Sequence, residues 1–208
     1  MISQDLEFAG LHRGIVVDNN DPMKLGRLKV RVIAAYGEQA VNNLPWAWPC
    51  FPYGGMEGMC NYAVPEIDAG VWIAFQWKDG RPDTTYPVWL GLWQAQKEAP
   101  QEVPGDSKDA HYFKEFKTTS GHYMLFCDKP GEEFIELRDK DGNYVRLDDK
   151  DEYLEIKDNK NNYIRFDRKN EFVDFCDKNG SYVYMKGGTL DIHAPNHISI
   201  TASRIDLN

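Results

Sequence analysis

The stretch GNYVRLDDKDEYLEIKDNKNNYIRFDRKNEFVDFCDKNGSYVYM, from Gly142 to Met185, states one short pattern more than twice. Segments YMLFCD, YVRLDD, YIRFDR and YVYMKG start at Tyr123, Tyr144, Tyr163 and Tyr182, with spacings of 21, 19 and 19. Between them lie FIELRD, YLEIKD, FVDFCD and TLDIHA, starting at Phe134, Tyr153, Phe172 and Thr189. Turn-forming runs DKPGEE, DKDGN, DNKNN and DKNGS join them, rich in the Asp, Asn and Gly that accept tight backbone geometry. A period near twenty marks a stacked repeat of strand, turn, strand, turn.

Side chains alternate across a strand. Ile135, Leu137, Leu154, Ile156, Val173, Phe175, Leu190 and Ile192 therefore share one face, with two apolar residues from each intervening strand. Two further segments, HISITA and RIDLN, extend the pattern and add Ile198 and Ile200. The other face carries Glu136, Arg146, Asp148, Glu155 and Asp174 with the aromatic residues that begin each strand, and reads as solvated. A single-layer meander with one greasy face needs a lid. Each buried apolar side chain is worth about 1.5–3 kcal/mol. No later segment of the chain can serve as that lid, so the meander folds back on itself or pairs with copies of itself, and short strands with only two inward residues favour a narrow prism closed by several chains. At about 4.8 Å per strand, ten strands give a rod roughly 48 Å long.

The first half differs. All six tryptophans lie between Trp46 and Trp93. GIVVD, LGRLKVRVI, GVWIAFQW and PVWLGLW read as strands, the second with period-two alternation, and DNNDP and KDGRPD read as turns. About five short strands, all antiparallel in pattern, suggest a small closed barrel. The run QAQKEAPQEVPGDSKDAHYFKEF has no strand period and reads as a linker. The expected division is residues 1–95, linker 96–117 and repeat 118–208.

GIVVDNNDPMKLGRLKVRVI (Gly14–Ile33), followed by VPEIDAGVWIAFQWKDGRPDTTYPVWLGLW (Val64–Trp93), resembles the OB-fold domain of phage baseplate assembly protein V. The same domain occurs in T4-like cell-puncturing spikes and type VI secretion VgrG proteins. SGHYMLFCDKPGEEFIELRDKDGNYVRLDD (Ser120–Asp149) resembles the start of the trimeric β-structure of those spikes. The resemblance implies an all-β chain, an N-terminal OB-fold barrel followed by an intertwined trimeric β-helix or β-prism. It implies a non-enzymatic homotrimer, assembled in the host cytoplasm and carried in a virion baseplate or equivalent extracellular injection particle. It would dock on a baseplate hub protein, carry a PAAR-like tip protein and meet the target outer membrane transiently. The gap between Trp93 and Ser120 is too short for the lysozyme domain of T4-like spikes. In the barrel, Gly14, Asp18, Gly26, Pro65, Gly70, Gly80 and Gly91 are the expected turn residues. Some short spikes bind iron through an HxH motif. Here His193 and His197 stand four apart and read as surface histidines, and no cofactor is expected.

Other readings carry less. Net charge is −9, and residues 1–95 hold seven Lys/Arg against ten Asp/Glu, which disfavours nucleic acid. Glu132, Glu133, Glu136, Asp148 and Asp149 recur with the repeat, so no unique pair marks a glycan-cleaving enzyme. An OB module acting alone is the remaining alternative. DKDGNY lacks the glycine and glutamate of an EF-hand, since Tyr144 and Lys150 occupy those positions. Ser120 and His122 near Cys127 have no third partner for a triad. Cys50, Cys60, Cys127 and Cys176 form no CxxC pair and read as free thiols, with a Cys50–Cys60 bridge left open. The N-terminus lacks a signal-peptide pattern, and no apolar run approaches the ~20 residues of a membrane span.

Overall fold

A computed structural model describes residues 7–95, 98 and 107–206. The chain forms two compact units, residues 1–100 and 101–208. Within the expected linker, residues 96, 97 and 99–106 lie outside the described residues.

The first unit is a closed barrel of β1 (His12–Asp18), β2 (Leu28–Arg31), β3 (Trp46–Pro49), β6 (Gly70–Lys78) and β7 (Arg81–Leu92), in the order β1-β2-β3-β7-β6. A short hairpin of β4 (Gly54–Met56) and β5 (Met59–Cys60) lies apart from it, and one helical turn, α1 (Ile33–Tyr36), follows β2. The expectation of wholly antiparallel pairing fails at one place, because β3 runs parallel to β7. The reason is parity: in a ring of five strands neighbours cannot alternate direction all the way round. β3 was also the strand that the sequence pattern missed.

The barrel core follows the pleat. Val16, Leu28, Val30, Val32, Ala47, Val71, Ile73, Phe75 and Trp89 point inward and are buried. Of the six tryptophans only Trp89 joins this core. Its indole Nε1 donates to the Gly26 carbonyl at 3.0 Å. Gly26 has φ +76°, and a Cβ there would meet the Phe51 ring at 2.8 Å. Both conformation and space therefore require glycine. Gly14 is demanded by space alone: a Cβ would lie 2.3 Å from Val30 Cγ1. Gly14→Val is expected to destabilise the barrel by about 1–3 kcal/mol through overpacking. A lowered midpoint for the tryptophan-fluorescence transition in urea would report it; an unchanged midpoint would disprove the close approach.

The loop between β1 and β2 turns on a residue that the sequence reading passed over. The Asp21 carboxylate accepts from the backbone N–H of Met23 (3.0 Å), Leu25 (2.9 Å) and Arg27 (3.2 Å) and from Arg27 Nη2 (2.7 Å). The Arg27 guanidinium holds this carboxyl far below the usual carboxylate range. Among the expected turn residues, Asp18 accepts from Asn20 N–H beside a bulge in β1. The Pro65 carbonyl accepts from Asn19 Nδ2. Gly70 lies beneath the Trp93 ring, Gly80 sits in the β6–β7 turn, and Gly91 falls within β7.

The second unit is one antiparallel meander of nine strands. They are β8 (Phe113–Lys117), β9 (Tyr123–Cys127), β10 (Phe134–Arg138), β11 (Tyr144–Asp148), β12 (Tyr153–Lys157), β13 (Tyr163–Asp167), β14 (Phe172–Cys176), β15 (Tyr182–Lys186) and β16 (Thr189–His193). β8 corrects the linker boundary. FKEFK lies inside the expected linker, yet it pairs with β9 from Phe113↔Cys127 to Lys117↔Tyr123. Its three charges hid a strand of the same alternation. HISITA and RIDLN form no strand in residues 197–206, and Ile198 and Ile200 are exposed. Their place in an apolar core is therefore not supplied by this chain alone.

Candidate functional site: two faces of one sheet

The register places the repeat in straight columns. Ile135↔Leu147, Leu137↔Val145, Val145↔Ile156, Leu147↔Leu154, Ile156↔Ile164 and Leu154↔Phe166 continue through Ile164↔Phe175 and Val183↔Ile192. Two apolar residues from every strand from β9 to β16 lie on one face. Within the single chain this face is open. Leu137 and Leu190 are 58% exposed, Ile156 47%, and Ile135, Phe175 and Ile192 are exposed as well, while Leu154 and Val173 are half-buried. The face frames an apolar hollow of about 890 Å³ reaching from Leu137 to Ile198.

The opposite face corrects the expectation of a solvated surface. Its central column reads Glu115, Leu125, Glu136, Arg146, Glu155, Arg165, Asp174, Tyr184, Asp191 from β8 to β16. Glu136 is 2% exposed, Asp148 4%, Glu155 7% and Asp167 5%. Opposite charges on adjacent strands meet under long side chains, which is why these carboxylates are buried although the layer is single. Glu136 accepts from Arg138 Nε (2.8 Å), Arg146 Nη1 (2.9 Å) and the Tyr123 hydroxyl (2.5 Å). Arg146 also reaches Asp148 at 2.8 Å, and Arg165 bridges Glu155 (3.4 Å) and Asp167 (3.1 Å). Tyr144 donates to Glu155, and Tyr163 to Asp174 at 2.6 Å. Arg146 lies 3.8 Å above the Phe134 ring and Arg165 4.0 Å above that of Tyr153. Period-two alternation fixed which residues share this face. The hydrogen-bonded pairing of Tyr i with an acid 11 or 13 residues later could have been read from the repeat and was not.

These bonds set the pH response. Burial pushes the Glu136 and Asp148 carboxyls up, but the hydrogen bonds they accept outweigh it and hold both below the ordinary range. Burial and the Glu136 bond push the Tyr123 hydroxyl from 10.0 to about 12. A depressed carboxyl stabilises the fold above its unfolded-state value and loses that contribution as pH falls through the folded one. A raised phenol stabilises below 10 and loses its contribution as pH rises toward 12. The urea midpoint of the sheet is expected to be flat from about pH 5 to 9 and to fall on both sides. A midpoint that drops steadily between pH 9 and 6 would contradict the paired ladder.

The acids singled out in the sequence are engaged or stand apart. Glu136 and Asp148 are held by arginines and a tyrosine, so neither can serve as a free acid or base, and Glu132 and Asp149 stand exposed in turns. His193 is exposed and stacks on Tyr182 at 5.1 Å, and His197 is exposed beyond it. Among the described residues no group of three or more His, Cys, Asp or Glu is placed to hold a metal ion. All four cysteines are unbridged, Cys50 and Cys60 included.

On the barrel the cations in and just before β2 are engaged. Arg27 pairs with Asp21, and Lys29 Nζ donates to the carbonyls of Val41 (3.1 Å) and Asn42 (3.3 Å). Arg31 bonds Glu38 and the Gln39 carbonyl. Arg27 also sits between Trp46 and Trp48, 5.4 Å from each ring. Residues 38–42 thus take up the charges of Lys29 and Arg31 on the second strand.

Residues 12–93, which span the five barrel strands, match the family of Type VI secretion system/phage-baseplate injector OB domains. A search of curated proteins finds no match. The barrel is therefore similar to the OB domain of that baseplate injector family, which supports a structural role in an injection system and a place in a phage tail or injection particle.

Proposed function

We propose that three copies of this injector chain close their apolar faces into a prism, which serves as the central spike of a contractile tail. The observation that carries this reading is the contrast between the sheet's faces. The polar face buries its carboxylates in ion pairs and hydrogen bonds, at 2–7% exposure, while the apolar face leaves Leu137, Ile156, Leu190 and Ile192 about half open. An exposed apolar surface of this continuity marks an interface, and identical copies supply an identical face. Closing the ring would bury two hydrophobic columns from each copy and turn the ladder of Tyr, Arg and carboxylate outward.

In this role the injector OB domain docks on a baseplate hub protein, a PAAR-like protein caps the C-terminal end, and the rod breaches the target outer membrane when the sheath contracts. Function resides in stiffness and shape rather than in catalysis. Light scattering on the purified protein tests the assembly. Three chains of 24.0 kDa give about 72 kDa. A 24 kDa particle at micromolar concentration would overturn the prism and favour an OB module acting alone.

A further inference from the structure

We infer that Ala194 and Pro195 form the stop signal of the sheet's ladder. Along one edge the turns follow a fixed scheme. The turn 118–122 opens on Thr118, whose Oγ1 accepts the N–H of His122, and the next three five-residue turns open on an aspartate whose carboxylate accepts two backbone N–H groups. Asp139 takes those of Asp141 and Asn143, Asp158 those of Lys160 and Asn162, and Asp177 those of Asn179 and Ser181.

A second bond joins one turn to the next. The fifth residue of a turn accepts, through its side chain, the N–H of the second residue in the following turn. His122 Nδ1 accepts from Lys140 at 3.2 Å, Asn143 Oδ1 from Asn159 at 2.9 Å, and Asn162 Oδ1 from Lys178 at 2.9 Å. The scheme thus stacks each turn on its predecessor and delivers the next strand in register.

The turn after β16 breaks both bonds at once. Its first position is Ala194, which has no side-chain oxygen, carboxylate or hydroxyl, to gather the backbone. Its second is Pro195, which has no N–H to give to Ser181. Stacking itself persists, since a Cβ on Gly180 would lie 4.0 Å from Pro195 Cγ. Only three residues separate β16 from His197, so the following segment starts beside a fully exposed strand edge. Yet residues 197–206 form no ladder with it, although Ile198 and Ile200 carry the period-two pattern. Sheet length is thus set at position 194, and the following segment is released from its own chain's ladder.

A disulfide reports pairing within one chain. Continuing the meander would place Asp191 opposite Ser199, as Asp174 stands opposite Tyr184. Cysteines at both positions (D191C, S199C) are introduced beside the native turn, and also beside a turn in which DKNGS replaces residues 194–196. After oxidation, peptide mapping in the full chain locates the linkage. The grafted turn is expected to close the 191–199 disulfide within a chain, and the native turn to leave it open. Closure with the native turn would show that the ladder does not end there. Failure with the grafted turn would show that this turn is not what halts it. Both results are read inside single chains, so they stand apart from whether copies form a prism, which the solution mass reports.

Discussion

Ile156→Asp is expected to abolish the proposed trimer and leave a 24 kDa species, or aggregate, in place of the about 72 kDa expected of the parent chain. Ile156 stands mid-sheet, with Val145 on one side and Ile164 on the other in the same column. Burying each isoleucine is worth about 1.5–3 kcal/mol, and the closed prism would bury three. An aspartate reverses that gain and brings three carboxylates together without partners, at a cost of several kcal/mol per ion. The fold of the single chain would be little disturbed, because position 156 is 47% exposed there. Circular dichroism therefore checks that the strands remain, and Ile156→Leu serves as the conservative control. A trimer of parental mass and stability formed by the Ile156→Asp variant would refute the packing of the apolar face.

Arg146→Met is the second large effect, and it acts on the other face. Arg146 is a hub of the polar ladder, bonded to Glu136 on β10 and to Asp148 on its own strand. Both carboxylates are at most 5% exposed at the side chain. Removing the cation strands buried negative charge, and breaking such a pair costs about 3 kcal/mol. Arg138 stays on Glu136, so the larger share of the loss falls on Asp148. The urea midpoint should fall accordingly. Adding Glu136→Gln should restore part of it, because the stranded charge is then reduced. A loss in the double variant equal to the sum of the losses of Arg146→Met and Glu136→Gln alone would mean that the two residues are not coupled. Arg146→Lys should sit between, since one ammonium cannot reach both acids with the fork of a guanidinium.

The two faces were unequally legible in the sequence. Apolar positions such as Ile135 and Ile156 reveal themselves through alternation alone, because a strand sorts side chains by parity before any tertiary contact forms. The burial of Glu136 and Asp148 does not. It depends on which strand lies next and in what register, and on arginine stems long enough to cover a neighbour's carboxylate. β8 was hidden for a related reason: Lys114, Glu115 and Lys117 mask its alternation until β9 pairs with it. In the barrel, β1, β2, β6 and β7 announce themselves by β-branched and aromatic runs. β3 is four residues with a proline at its end, and only ring closure identifies it. Asp21 was missed because its role is to gather N–H groups up to six residues downstream, which no periodicity encodes.

The columns of the sheet also bear on inheritance. Tyrosines recur on alternate strands, and acids alternate with arginines along the central column from Glu136 to Asp174. Copying one nineteen-residue unit, such as 144–162, adds two strands and returns each column to the same phase. Copying a lone strand would set tyrosine beside tyrosine and acid beside acid. A lineage can therefore lengthen or trim this sheet cheaply, but only in even steps.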